Sequence, residues 1–170
     1  MNIMNWGISS SSGREFLLVN LLGCHEDRDG EVFFASHVEI AGKFWNRFTK
    51  KIEGDCVEDF SVKLHQVRIY KNKLEEFLLL LTAWFENPSP LSVDIGAERY
   101  VDEKFRITIG PIDGIISSET CPVFVIDCSL GSFGHGKCAF VVDQSCINLL
   151  REELSDVLRA DWSCHNLEQL

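Results

Sequence analysis

The chain has 170 residues, of which 45% are hydrophobic and 25% charged, so it is long enough and apolar enough for one domain with a buried core. That composition excludes a disordered chain, and no apolar run approaches the roughly 20 residues of a membrane-spanning helix. The formal net charge of −10 disfavours nucleic acid and anionic lipid as partners, because both require a surplus of cations. The N-terminus lacks the features of a signal peptide, so we expect a single cytoplasmic domain over residues 1–170.

The first part of the sequence predicts a strand followed by a β-hairpin. A short strand around Asn2 to Ile8 precedes a continuous apolar run from Arg14 to Leu22, which is typical of a central strand covered on both faces. A charged turn, Cys24 to Glu31, leads into an alternating segment, and together they form the hairpin. One face of that segment carries Val32, Phe34, Ser36, Val38 and Ile40, and the other carries Phe33, Ala35, His37 and Glu39.

A basic aromatic segment follows, from Gly42 to Lys51. It contains four cations around Phe44, Trp45 and Phe48, and it fits either one turn of amphipathic helix or an irregular return loop. Aromatic rings and cations can bind single-stranded nucleic acid, but the acidic run up to Asp59 would repel the same phosphates. We therefore interpret the segment as a loop whose aromatic side chains cover the edge of the sheet.

The next strand changes its apolar phase part-way along. Apolar residues alternate from Phe60 to Leu64, whereas Val67 and Ile69 continue the alternation one position out of phase. A change of phase means that one extra residue stands on this strand, and this predicts a β-bulge or bend near His65-Gln66.

The stretch from Tyr70 to Glu86 predicts the helix around which the core forms. Asn72 fits an N-cap, Glu75 three residues later completes a capping box, and two prolines stop the helix after Asn87. Apolar residues cover nearly every face of this helix, so we expect it to be packed on more than one side.

The second half of the chain predicts a meander of strands and a closing helix. Alternating or apolar strands begin near Leu91, Phe105, Pro122 and Cys138. Asp143 then fits the N-cap of an amphipathic helix, after which the tail beyond Trp162 is expected to fray. Because the connections between these strands are short, we predict an α+β fold, with a curved, mostly antiparallel sheet packed on a central helix and a second helix at the C-terminus.

Seven cysteines are scattered along the chain without a Cys-x-x-Cys pair. Most have apolar neighbours, so we expect buried thiols in a reducing compartment. The adjacent pairs Cys24-His25 and Cys164-His165 come nearest to a metal-binding pattern, but adjacent residues of a strand point to opposite faces. The sequence therefore predicts no metal and no cofactor.

No segment of the sequence carries a catalytic signature. The glycine loop from Gly131 to Lys137 lacks the helix that a phosphate-binding loop requires after its lysine, so we interpret it as a hairpin loop. No nucleophile elbow or protease-like context surrounds any cysteine or histidine. We do not predict an enzyme, although a site that joins His135 or His65 to a cysteine or carboxylate remains an alternative.

Acidic residues concentrate in two turns. If both turns lie at one end of the sheet, they form a negative patch suited to a basic partner, whereas two separate solvated loops are the alternative. These candidate partner-binding residues are Glu26, Asp27, Asp29 and Glu31 in the first turn and Glu53, Asp55, Glu58 and Asp59 in the second.

Three stretches resemble a known family: KLEEFLLLL (Lys73 to Leu81), FRITIGPIDG (Phe105 to Gly114) and FVVDQSCINLL (Phe140 to Leu150). Together they are similar to small bacterial immunity proteins of the WapI type, which also have a helix, a meander and a final strand that runs into a closing helix. The resemblance covers residues 60–158. It implies an antidote of a polymorphic toxin or contact-dependent growth inhibition system that binds and blocks its cognate toxin domain. It transfers neither catalytic residues nor toxin-contacting positions.

The resemblance and the acidity lead to the same functional hypothesis. We expect an immunity protein that neutralises a basic toxin domain, such as a nuclease, by electrostatically steered binding. One rival hypothesis is an adaptor or subunit that uses the apolar edge near Phe44, Trp45 and Phe48, and another is an enzyme with a cryptic cysteine or histidine site.

Overall fold

The computed structural model of the protein describes residues 4–10, 13–46, 51–52, 60–96, 103–110, 122–130 and 135–166. Its elements in chain order are β1 (Met4–Ser9), β2 (Phe16–Glu26), β3 (Val32–Asn46), β4 (Lys51–Ile52), β5 (Phe60–Tyr70), α1 (Lys71–Glu86), β6 (Leu91–Asp94), β7 (Glu103–Gly110), β8 (Val123–Leu130), β9 (His135–Val141), α2 (Gln144–Arg159) and β10 (Cys164–Asn166).

The strands form two four-stranded antiparallel sheets around a central helix, which confirms the predicted α+β class. The first sheet has the order β1-β2-β3-β5, and the second has the order β6-β7-β8-β9. The long strand β3 joins them, because its far end pairs with β9. Helix α1 contacts β3, β5, β6 and α2, so the shared core lies between both sheets and the two helices. None of the helices in the described part of the chain is long and apolar enough to cross a membrane.

The predicted hairpin is confirmed, although its turn is shorter than expected. Strand β2 continues through Glu26, so the turn itself spans only Asp27 to Glu31. The expectation that β2 is covered on both faces is wrong, since Leu17, Val19 and Leu21 are buried and the residues between them are only half-buried. In strand β8, by contrast, consecutive residues from Val123 to Ile126 are buried, so this strand is covered on both faces.

The predicted bulge in β5 is confirmed at the expected place. The register between β3 and β5 shifts between Ser36 and Val38, so His37 faces the two residues His65-Gln66. Gln66 has a φ of 60°, in the left-handed region that residues other than glycine seldom adopt. The bulge reverses the phase of β5 and keeps Leu64 and Ile69 buried on the same side of the sheet.

Helix α1 begins at Lys71, and the predicted cap at Asn72 is wrong. Tyr70 is the N-cap and makes no side-chain capping hydrogen bond, while Asn72 lies exposed in the first turn. The reason is tertiary, because β5 stays paired with β3 up to the Tyr70–Phe33 register pair and the helix starts at the next residue. The prediction that α1 packs on more than one side is confirmed, since it contacts β3, β5, β6 and α2, although the apolar side chain of Leu79 is 71% exposed.

Two further expectations fail near the ends of β3 and of the chain. The predicted helical turn or loop at Gly42 is instead a continuation of β3 through Asn46, because that end pairs with β9 and β4. The tail expected to fray beyond Trp162 forms β10, which pairs in parallel with β2. By contrast, Asp143 caps α2 as predicted, by accepting hydrogen bonds from the backbone N–H groups of Ser145 and Cys146.

Candidate functional site

The first acidic turn is a tight structure organised by Asp27. One carboxylate oxygen of Asp27 accepts hydrogen bonds from the backbone N–H groups of Asp29, at 2.9 Å, and Glu31, at 3.0 Å. The N–H of Gly30 donates to the Asp27 carbonyl at 3.0 Å, and Gly30 has a φ of 79° that a residue with a Cβ would adopt only with strain. The sequence Asp-Arg-Asp-Gly therefore closes this hairpin, because its first residue accepts backbone hydrogen bonds and its glycine adopts a positive φ.

An aromatic cluster on the outer face of the first sheet anchors the turn. The Tyr70 hydroxyl donates to the second carboxylate oxygen of Asp27 at 3.3 Å. The Tyr70 ring lies 5.9 Å from the ring of Phe33, which in turn stacks on His25 at 5.5 Å and lies beneath the guanidinium of Arg68 at 5.2 Å. Burial, and then the negative charge of Asp27, raise the pKa of Tyr70 above its usual value, so the phenol stays neutral and donates this hydrogen bond.

The four acidic residues of this turn have different roles in the structure. Asp27 is a scaffold, since both of its oxygens accept hydrogen bonds from within the protein. Glu26 is half-buried at the end of β2, whereas Asp29 and Glu31 are exposed at the tip. The structure thus brings the first predicted group together, and Asp29 and Glu31 are its exposed members.

The second predicted acidic group lies outside the described residues, so its position relative to the first turn stays a prediction. Its members are Glu53, Asp55, Glu58 and Asp59. The same holds for the side chains of Phe44, Trp45, Phe48 and His135 and for the loop residues 131–134.

A pair of histidines, which the sequence reasoning did not bring together, lies on the outer face of the first sheet. The rings of His37 and His65 are 4.6 Å apart between centroids and nearly perpendicular, at 87°. They line a hollow of about 220 Å³ together with Asn20, Glu39 and Lys63. The sequence contains two signs of this pair, namely the position of His37 on the face opposite Val38 and the bulge predicted near His65. The two histidines lie on different strands, and the sequence does not specify how those strands are aligned.

A larger groove of about 450 Å³ runs between the edge strand β1 and helix α2. The Glu153 carboxylate reaches across it and accepts a hydrogen bond from the Gly7 N–H at 2.9 Å. Burial raises the pKa of Glu153, and the bond from Gly7 offsets this only in part. Glu153 therefore occupies the edge of β1, where a further strand could otherwise pair.

The expectation of free thiols is wrong for Cys24 and Cys164, which form a disulfide across 140 residues of sequence. The parallel register of β10 on β2 places these residues side by side, and this pairing could not be read from their spacing. Cys128 and Cys138 are buried free thiols as expected, and Cys146 is free and half-buried. Burial, with the nearby Cys128 as a second cause, raises the pKa of Cys138 to about 12, so this thiol is not activated as a nucleophile.

No group of three or more histidine, cysteine or carboxylate side chains suited to a metal ion occurs in the part of the chain that the structure describes. No protein-family model and no curated protein matches the chain. The resemblance to WapI-type immunity proteins therefore stays a prediction from the three sequence stretches.

Proposed function

We propose that the protein is an immunity protein that binds a cognate toxin domain, namely a basic nuclease, and blocks it by occlusion. The observation that carries this proposal is the acidic turn at the β2–β3 junction. Its backbone is fixed by Asp27 and Tyr70, and Asp29 and Glu31 are exposed at its tip. A rigid turn loses little conformational entropy on binding, so its charges can act on a partner at low cost.

The charge of the whole chain supports the same proposal. A nuclease must bind a polyanion, so its active cleft is basic, and an inhibitor with a net charge of −10 is attracted to that cleft at long range. Complementary charge of this kind accelerates association and is weakened by salt. No residue of the chain needs to perform chemistry for this function.

The proposal is tested by reversing charge at the turn and, as a matched control, elsewhere. Asp29→Lys/Glu31→Lys changes the net charge as much as Glu75→Lys/Glu86→Lys, whose residues are exposed on α1. We expect the turn variant to slow association with the toxin domain captured by the wild-type chain by about tenfold or more at low salt, and the helix variant to have a smaller effect. Equal effects would show that only the total charge matters, and no effect of either variant would contradict steered binding.

The hollow that contains His37 and His65 supports an enzyme as the second candidate function. His65 lines one hollow with His37 and Glu39, and an imidazole near a carboxylate is a common acid–base arrangement. Glu39 is at present bound to Lys63 at 3.0 Å. A hydrolytic activity that is lost in both His65→Ala and His37→Ala, with the fold intact, would favour this candidate over the immunity function.

A further inference from the structure

Two strands share one edge of β2. On its other edge, β2 pairs with β3 from Phe16 to Glu26. On the shared edge, β1 pairs with the residues from Phe16 to Leu21, and β10 pairs with those from Cys24 to Glu26. Strand β10 has only three residues, and β2 is the only strand with which it pairs in the described part of the chain. Because so short a strand makes few hydrogen bonds, backbone pairing alone holds it weakly.

The disulfide Cys24–Cys164 fastens β10 to this edge at the first residue of the strand. The chain just before β10 is anchored by other contacts. The ring of Trp162 packs 5.0 Å from that of Phe34, and its indole N–H donates to the Val157 carbonyl at 2.8 Å. Neither contact involves a sulfur atom. Opening the disulfide therefore frees β10 and leaves Trp162 in place.

The two cysteines of this disulfide differ in their exposure. Cys24 is buried in the core, at 2% exposure, whereas Cys164 is an exposed residue. A disulfide is opened by a thiolate that attacks one of its sulfur atoms, so the reaction requires access to that atom. Cys164 gives this access without prior unfolding of the core, and the disulfide is therefore open to exchange in the folded protein.

We propose that the Cys24–Cys164 disulfide is a redox-operated clasp, which holds β10 on the edge of β2 when oxidised and releases it when reduced by a dithiol. One thiolate of the dithiol attacks the Cys164 sulfur, forms a mixed disulfide with it and expels the Cys24 thiolate, which takes up a proton. The second thiol of the reductant then attacks the mixed disulfide and releases Cys164 as a thiol. The protein thus gains two electrons and two protons, and the dithiol becomes a disulfide.

Opening the clasp uncovers the edge of β2 beside the acidic turn. Strand β10 pairs as far as Glu26, and the turn begins at the next residue, Asp27. Uncovered N–H and C=O groups at the edge of a sheet can pair with a strand of another chain. The oxidised protein therefore protects this edge, and the reduced protein makes it available. The inference does not rest on the proposed toxin binding.

The clasp is tested by hydrogen–deuterium exchange of the whole chain with and without dithiothreitol, measured by mass spectrometry. We expect reduction to accelerate amide exchange in β10 by about tenfold or more and to accelerate it at the end of β2, while β1 and α2 exchange at unchanged rates. Cys164→Ser, which keeps the buried Cys24 side chain, should exchange fast in β10 under both conditions. Cys146→Ala is the matched control, because it removes a thiol outside the clasp and should keep the response.

Access and reversibility are measured on the folded wild type. Dithiothreitol followed by iodoacetamide should alkylate Cys164, and oxidised glutathione should restore slow exchange in a separate reduced sample. The proposal is overturned if the disulfide resists dithiothreitol until denaturant is added, or if reduction leaves exchange in β10 unchanged. It is equally overturned if reduction accelerates exchange throughout the chain, because the disulfide is then a structural cross-link. None of these outcomes bears on toxin binding, since the chain is measured alone.

Discussion

Tyr70 connects the acidic turn to the rest of the molecule. It ends β5, caps α1 by its backbone position, packs on Phe33 and donates to Asp27. The hydrogen bond needs the neutral phenol, and burial together with Asp27 favours that form by raising the pKa of Tyr70. A phenol whose pKa is raised by folding stabilises the protein at a pH below its unfolded pKa, and this contribution is lost as the pH rises through the folded pKa.

Tyr70→Phe should therefore change how stability depends on alkaline pH. We expect the free energy of unfolding to fall less steeply in this variant than in the wild type between about pH 9 and pH 11, because one ionisation linked to unfolding is removed. Urea unfolding at several pH values measures this slope. The chain has two tyrosines, so Tyr100→Phe is the matched control, and an unchanged slope in Tyr70→Phe would contradict the assigned contact.

Glu153 makes the stability of the folded state depend on pH in the acidic range as well. Burial raises its pKa, so Glu153 favours the folded state only below its unfolded pKa, and that contribution is lost as the pH rises through the raised folded pKa. We expect Glu153→Gln to raise the thermal midpoint at about pH 7, because the amide still accepts the Gly7 N–H bond without carrying a partly buried charge.

Two matched variants separate the hydrogen bond from the charge at Glu153. Glu153→Ala leaves the Gly7 N–H without its acceptor and should lower the midpoint. Glu152→Gln, one residue earlier and exposed, should leave the midpoint nearly unchanged. A destabilised Glu153→Gln at neutral pH would show that the carboxylate is more favourable as a charge than its burial indicates.

At the scale of the element, α1 shows how far a sequence pattern can be used. Its apolar residues cover nearly every face of the helix, yet the fully buried ones form a single stripe of Leu74, Phe77, Leu81 and Trp84. The helix does pack on several elements, but one side stays in solvent. Composition could not reveal this, because the exposed side also carries an apolar residue, Leu79.

A pair of substitutions within α1 tests this division. Phe77→Ala should lower the free energy of unfolding by roughly 3–5 kcal/mol, since the ring is fully buried and contacts Trp6 edge to face. Leu79→Ala should change it by no more than about 0.5 kcal/mol, because the side chain is 71% exposed. Denaturant unfolding measures both values. Similar losses in the two variants would mean that Leu79 is covered in solution.

The C-terminal strand β10 is held by packing and by a covalent bond. Trp162 lies 5.0 Å from the ring of Phe34 and donates its indole N–H to the Val157 carbonyl at 2.8 Å. Strand β10, which begins two residues later, is joined to β2 by the disulfide Cys24–Cys164. A cross-link that spans 140 residues restricts the unfolded chain strongly, so its effect on stability should be large.

Cys24→Ala/Cys164→Ala should lower the free energy of unfolding under oxidising conditions by roughly 2–5 kcal/mol. Peptide mapping of the unreduced wild type should recover the Cys24 and Cys164 peptides as one linked species. Cys146→Ala, which removes a free thiol, is the control and should keep that species. Free Cys24 and Cys164 in protein purified without reductant would contradict the disulfide.

At the scale of the whole molecule, the features predicted from sequence are the local ones. Strand alternation, the bulge at His65-Gln66, the Asp143 cap and the two helices follow from patterns within a few residues, and so the α+β class could be predicted. The start of α1 and the disulfide were predicted wrongly because both depend on contacts between residues that are distant in sequence. The start of α1 depends on the pairing of β5, and the disulfide depends on β10 returning to β2.

The candidate sites follow the same rule. The Asp27 to Glu31 turn was found because its residues are adjacent in sequence, although the scaffold role of Asp27 needed the contact with Tyr70. His37 and His65 were not paired, because nothing in the sequence specifies the register of β3 against β5. A register must be known before two distant side chains can be assigned to one site.

The most direct test of the immunity function uses the wild-type chain as bait in cells that produce it, with elution across a salt gradient and identification by mass spectrometry. We predict a stoichiometric basic partner that is released only at high salt, is lethal when expressed alone, and is tolerated when this chain is co-expressed. The absence of any partner, or a harmless partner whose release does not depend on salt, would contradict the proposed function.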